Sequence, residues 1–265
     1  MDFKNLIRKL KTADPTAKGN IDSYILNDIH IQRGNIDQAY PSDYADHEKS
    51  IIESVKPFTM TSTERLVALL RSIDYLEHNK IQGDIVECGV WKGGSMMAAA
   101  KYLLRLGNQQ RRFFLFDTYE GMSEPTEADT DIHSSNATEV YKDESNKGSD
   151  DKWCASPLDD VKQNLASTNY KSQNVFFIKG KVEETLPYGK IDKIAILRLD
   201  TDWYESTKHE LITLYDRLVP GGVLIIDDYG HWRGAKQAVD EFIAERKLRL
   251  FLNRVDYTCR IAIKP

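Results

Sequence analysis

Apolar positions along the chain fall into two patterns, short continuous runs and longer segments in which they recur every three or four residues. The runs are Ile85-Val86 with Cys88, Arg111–Asp117 (RRFFLFD), Asn174–Gly180 (NVFFIKG), Ile194–Asp200 (IAILRLD) and Val223–Asp228 (VLIIDD). Each is too short for a helix and is bounded by glycine, proline or charged residues, which predicts buried strands. Helical spacing predicts helices over Thr61–His78, Ser95–Leu106, Pro157–Thr168, the stretch from Asp200 to Pro220, and Gly234–Arg246. In the first of these, Leu66, Leu69, Leu70 and Ile73 form the inward stripe, and Thr61, Ser62 or Thr63 supplies the N-cap. Pro220-Gly221-Gly222 is expected to close the fourth. Strands alternating with helices predict an α/β architecture with a parallel sheet. Leu248–Asn253 (LRLFLN) and Thr258–Lys264 (TCRIAIK) read as two final strands that include an antiparallel hairpin.

Two regions lack such a pattern. Residues 1–60 are polar and tyrosine-rich, with an amphipathic start (MDFKNLIRKLKTADP), a segment at Ile21–Ile31 that fits a strand or an irregular helix, and a turn at Tyr40–Asp43. This arm is expected to serve as a substrate lid or as an oligomer contact, for instance in a homodimer. Residues 61–265 then form the main domain. Within it, Gly121–Asp160 is polar and acidic and far longer than an ordinary strand-to-helix connection, so it is expected to be a lid insertion that orders with substrate. Composition narrows the function classes. With 265 residues, 41% hydrophobic and 29% charged, the chain can bury a core in one domain with additions. A net charge of −5 argues against a nucleic-acid partner. Three scattered cysteines, Cys88, Cys154 and Cys259, make neither a disulfide framework nor a zinc site. No secretory signal and no membrane-length apolar run is visible, so a cytoplasmic protein is the expectation.

Candidate chemistry sits at the strand ends. IAILRLD ends in Asp200, and VLIIDD ends in Asp227 and Asp228. Parallel strands joined by a right-handed crossover bring these carboxyl ends to one edge of the sheet, where ligands of open α/β sheets bind. Three carboxylates crowded there repel, and a divalent cation with oxygen ligands relieves the repulsion. After the first strand, Gly89, Gly93 and Gly94 make a turn that lets backbone approach a ligand. Its pattern is E-x-G-x-x-x-G-G, not the dinucleotide pattern G-x-G-x-x-G. Asp117 lies 23 residues after Gly94, where a ribose-binding acid is expected.

The segments VECGVWKGGS, LFDTYEGM, GKVEETLP, LRLDTDWYEST and LIIDDYGHWRGAKQAVDEF together resemble the macrocin O-methyltransferase family, from about Thr61 to Phe242. The resemblance implies a Rossmann-like class I methyltransferase fold, with a seven-stranded, mostly parallel sheet and helices on both faces. It implies a cofactor, S-adenosyl-L-methionine, and methylation of sugar hydroxyls on glycosylated natural products. Glu87, Gly89, Trp91, Gly93 and Ser95 would line the cofactor's methionine end. Asp117 would hold the ribose, and Lys181, Val182 and Glu183 would lie near the adenine. Asp200, Asp227 and Asp228 would hold Mg2+ or another divalent cation, with Asp200 also the general base. His231 and Trp232 follow the acids and face the substrate or solvent, and Asp202 reads as a helix cap or a residue behind the metal ligands. The expected partner is a small glycoside or sugar acceptor, with no nucleic acid and no membrane. Competing readings are an O-methyltransferase for a catechol-like diol, a nicotinamide-dependent oxidoreductase, and a non-catalytic binding protein. The missing G-x-G-x-x-G and the paired acids weigh against the oxidoreductase.

Overall fold

The computed structural model describes residues 40–145 and 153–265. The expectations for residues 1–39, including Ile21–Ile31, lie outside them. The chain divides into two compact units, Met1–Lys49 and Ser50–Pro265. Of the first, residues 40–49 are described, a turn closed by Tyr44 N–H donating to the Pro41 carbonyl and the start of α1 (Asp46–Val55). In the second unit, α1 runs into a 3-10 turn at Lys56–Phe58.

The second unit is built on β1 (Asp84–Cys88), β2 (Phe113–Asp117), β3 (Val175–Lys179), β4 (Ile194–Leu199), β5 (Leu218–Ile226), β6 (Asn253–Arg254) and β7 (Arg260–Ile263). Their order across the sheet is β3-β2-β1-β4-β5-β7-β6. The first five pair in parallel, and β7 runs antiparallel to both neighbours. The helices are α2 (Thr63–His78), α3 (Gly94–Arg105), α4 (Ala137–Ser145), α5 (Leu158–Ala166), α6 (Val182–Thr185), α7 (Tyr204–Leu214) and α8 (Arg233–Glu245). Helix α2 begins where its sequence predicts, with Ser62 Oγ accepting from Arg65 N–H.

Every residue of β1 and β4 is buried, as expected of strands covered on both faces. Side chains alternate between the faces. Val86, Cys88, Phe114, Phe116, Leu197, Leu199, Leu224 and Ile226 pack with Leu211 and Leu214 of α7 and Val239 and Phe242 of α8. Each such apolar side chain contributes about 1.5–3 kcal/mol by leaving water. Glu87 and Arg198 have the opposite parity and sit beside each other in the ladder.

Two expectations need correction. Pro220-Gly221-Gly222 lies inside β5 and does not form a turn after the helix. The chain leaves α7 through a 3-10 turn at Tyr215–Arg217, and Gly221, at φ +79°, absorbs the irregularity where β5 shifts register against β4. Leu248–Asn253 is not a strand. Only Asn253 and Arg254 pair with β7; Leu248, Leu250 and Leu252 pack against the core without strand pairing, and Phe251 is 82% exposed. No described helix is long and apolar enough to cross a membrane.

Candidate active site

Strand register sets the site. Gly89, Asp200 and Asp227 each stand one residue past a strand end, and the ladder continues through them. Asp200 N–H donates to the Cys88 carbonyl at 2.8 Å and Asp227 N–H to the Leu199 carbonyl at 2.9 Å. The backbones are so close at Gly89, φ +84°, that a β-carbon there would lie 1.9 Å from the Asp200 carbonyl oxygen. Trp91 follows at φ +47°, a conformation rare for a bulky residue. Asp117, at the end of β2, holds that turn. Its Oδ2 accepts from Val90 N–H (2.6 Å) and Trp91 N–H (3.0 Å), and its Oδ1 from Tyr119 N–H (2.7 Å).

A cavity of about 430 Å³ opens beside these groups, lined by Gly89, Asp117, Gly180, Lys181, Val182, Glu183 and Asp200. Five of the expected cofactor residues therefore share one hollow. Trp91 and Ser95 line a neighbouring, larger cavity. Gly93 is the left-handed N-cap of α3 and packs towards Leu165. Glu87 is buried behind the turn, 1% exposed, with one oxygen accepting from Arg198 Nη1 at 2.8 Å and the other without a partner among the described residues. Burial outweighs that guanidinium and pushes the Glu87 carboxyl up to about 8.

The acids divide into two groups. Arg198 Nη1 donates to Asp200 Oδ2 at 2.5 Å, and its Nη2 to Asp227 Oδ1 at 2.6 Å and Thr61 Oγ1 at 3.0 Å. Arg65, reaching in from α2, donates to Asp227 and, through Nε at 2.7 Å, to Asp256. Asp227 is thus committed to two guanidiniums. The oxygens that converge within 4.8 Å of one another belong to Asp200, Asp202 and Asp228. Sequence reasoning expected Asp227 in that trio and gave Asp202 a lesser place. Asp202 does not cap α7, whose N-cap is Trp203. Its backbone turns at φ +67°. Burial, with Asp200 and Asp227 nearby, pushes its carboxyl up to about 7. Burial also raises Asp200 and Asp228 well above the carboxylate range, against the opposing pull of Arg198 on Asp200 and alongside the repulsion of Asp202 and Asp227 on Asp228. Asp228 Oδ2 is buried without a hydrogen-bond partner among the described residues.

The second cavity is an open cleft of about 970 Å³, and Asp200 lines both. Its walls include Met60, Trp91, Trp153, Trp232 and Tyr257, with Asp202 and Asp228 on the floor. Trp203 and Trp232 meet edge to face at 5.0 Å, and Trp153 packs on both. His231 lies in the wall, its ring 6.0 Å from Tyr257, and burial lowers its basicity. The side chains at this acidic edge that the sequence reading did not single out are Arg198 and Arg65. A signal existed for the first, since Arg198 interrupts an apolar run two residues before Asp200 and must share its face.

The profile described as Macrocin-O-methyltransferase (TylF) matches residues 19–263. An 8-demethyl-8-(2,3-dimethoxy-alpha-L-rhamnosyl)-tetracenomycin-C 4'-O-methyltransferase of Streptomyces olivaceus is 36% identical over 171 residues, which span 64% of this chain and 62% of that protein. Demethyldecarbamoylnovobiocin O-methyltransferase of Streptomyces niveus is 28% identical over 250 residues, 87% of this chain and 90% of the relative. Among solved structures, the O-methyltransferase NovP superposes with a TM-score of 0.68 at 27% identity, over 78% of this chain and 82% of its own.

Proposed function

The chain belongs to the macrocin O-methyltransferase family, and from that premise we propose that it transfers a methyl group from S-adenosylmethionine to a sugar hydroxyl of a small glycoside, with a divalent cation at the acidic edge. One observation supports this most directly. Asp200 lines both the cavity beside the glycine turn and the larger aromatic one, and a base for methyl transfer must stand where donor and acceptor meet.

The residues present fit both groups. Gly89 has no side chain where a β-carbon would collide, Asp117 offers acceptors at the cavity wall, and Lys181–Glu183 close its far side. The oxygen-only donor set of Asp200, Asp202 and Asp228 suits magnesium, and the orphaned Asp228 Oδ2 has a lone pair to give. A bound divalent cation lowers the pKa of a hydroxyl that touches it. Asp200 accepts the hydroxyl proton. Arg198 holds the Asp200 carboxylate in place, and Arg65 with Arg198 fixes Asp227 behind it. The indoles of Trp91, Trp153 and Trp232 offer flat apolar faces to the C–H side of a sugar ring and exclude water from the reacting oxygen.

The test is a methyl-transfer screen against diverse glycosides, read by mass spectrometry, with magnesium and again after EDTA. Turnover is expected only with the cation, and Asp200→Asn is expected to stay well below wild type at saturating magnesium. Full turnover in EDTA would remove the cation from the proposal, and binding of NAD in preference to S-adenosylmethionine in calorimetry would remove the activity.

A further inference from the structure

Helices α7 and α8 follow the two acidic loops, Asp200–Trp203 and Asp227–Trp232. Each begins at a tryptophan N-cap that makes no side-chain capping bond. Such a helix leaves N–H groups in need of acceptors. The acceptors come from the middle of the insertion. Asp129 Oδ1 takes the Tyr204 N–H of α7 at 2.8 Å, and the Thr130 carbonyl takes the Arg233 N–H of α8 at 2.8 Å. Asp129 is fully buried. Its other oxygen takes Thr126 N–H at 2.7 Å and Thr126 Oγ1 at 2.9 Å, which closes the insertion's own turn. Gly234, in the first turn of α8, leaves the room for this carboxylate, since a β-carbon there would lie 2.1 Å from Asp129 Oδ1. A third tie runs from Trp203 Nε1 to the Ser123 carbonyl at 2.9 Å.

We propose that Asp129 is a positioning residue: a capping group supplied from outside α7, which registers the loop carrying Asp200 and Asp202 against the loop carrying Asp228. Its hydrogen bonds go to Tyr204 and Thr126 and to none of these three acids, and it acts through the backbone at Trp203–Tyr204. The consequence for cation affinity rests on the function proposed above; the consequence for backbone order does not. Asp131, two residues on, makes a useful contrast. It accepts from His133 and Ser135 N–H within its own turn and is partly exposed.

The experiment compares the full chain with Asp129→Ala, Asp129→Asn, Asp131→Ala and Gly234→Ala. It reads hydrogen exchange over Thr201–Ser206 and the affinity for Mn2+ alone. Asp129→Ala is expected to speed exchange there roughly fivefold, as for a lost helix cap, and to weaken Mn2+ about tenfold, as for a lost support behind metal ligands. Asp129→Asn retains an oxygen for Tyr204 N–H but turns an NH2 group at Thr126 N–H, so it is expected to recover part of both shifts and to fall between Asp129→Ala and wild type, and Asp131→Ala is expected to match wild type. Gly234→Ala pushes a methyl group against the same carboxylate without deleting it, is expected to reproduce both shifts, and decides the matter if Asp129→Ala does not fold. Wild-type exchange in Asp129→Ala or, in its place, Gly234→Ala, or equal losses in Asp131→Ala, overturn the proposal. A wild-type chain that binds no Mn2+ overturns the cation reading instead and leaves the exchange comparison to decide this one.

Discussion

At the scale of single residues, Glu210 is the most telling buried acid outside the acidic edge. It is fully buried on α7, with Oε1 accepting from Thr201 Oγ1 at 2.9 Å and Oε2 without a partner among the described residues. Burial pushes its carboxyl well above the ordinary range, and the Thr201 hydrogen bond opposes this only in part. The folded state therefore keeps a proton that the unfolded chain has released. The stabilisation is complete below the unfolded value and is lost as pH rises through the folded one, by about 1.4 kcal/mol per pH unit in that window. Glu210→Gln imitates the protonated acid and is expected to flatten the alkaline fall in stability, measured by urea unfolding at a series of pH values. An unchanged slope would mean that Glu210 is already ionised in the fold. Legibility at this scale was uneven. Asp200 and Asp228 could be read because they end apolar runs. The place of Asp202 depends on a positive φ, and the commitment of Asp227 depends on Arg65, 162 positions away. Neither leaves a trace in local spacing.

At the scale of elements, the turn after β1 and the end of β4 behave as one part. Gly89 allows the backbones to touch, and Asp117 holds the other side of the turn. Gly89→Ala combines a positive φ with a collision against the Asp200 carbonyl and is expected to cost roughly 1–3 kcal/mol of stability. It should also abolish S-adenosylhomocysteine binding. Gly189→Ala, where nothing stands within reach of the added carbon, is expected to be near neutral in both measurements. Thermal unfolding and calorimetry on the pair check this; equal behaviour would show that the close approach relaxes freely. The strands β1, β2 and β4 were legible because parallel strands buried on both faces are continuous apolar runs, and β5 and the half-buried edge strand β3 keep such a run in Val223–Ile226 and Val175–Ile178. Helix α4 was not, because Ala137–Ser145 is polar and short and carries no strong stripe. The Leu248–Asn253 segment misled because its alternation matched a strand, while pairing requires a neighbour that the sheet edge does not provide.

At the scale of the whole molecule, the sheet gathers from distant parts of the chain what no segment holds alone. Two guanidiniums, from α2 and β4, answer Asp227, Asp256 and part of Asp200. Asp202 and Asp228 have no cationic side chain in contact among the described ion pairs. The class of fold and the acidic edge were visible in sequence because they follow from strand ends. The arrangement of charge was not, because it follows from which strands become neighbours. The aromatic packing around those two acids has an optical consequence. Trp232 lines the same cavity as Asp202, and Trp203 follows Asp202 in the chain, in edge-to-face contact with Trp232. The site thus carries its own chromophores. A paramagnetic ion such as Mn2+ settling among the carboxylates is expected to dim the indole emission in proportion to occupancy, while the same titration of Asp202→Asn leaves it bright. Emission unmoved in the native chain would mean that the ion lodges elsewhere, and a dimming that survives the substitution would separate the light from the acid. A spectrometer can then follow loading of the site before any acceptor is known.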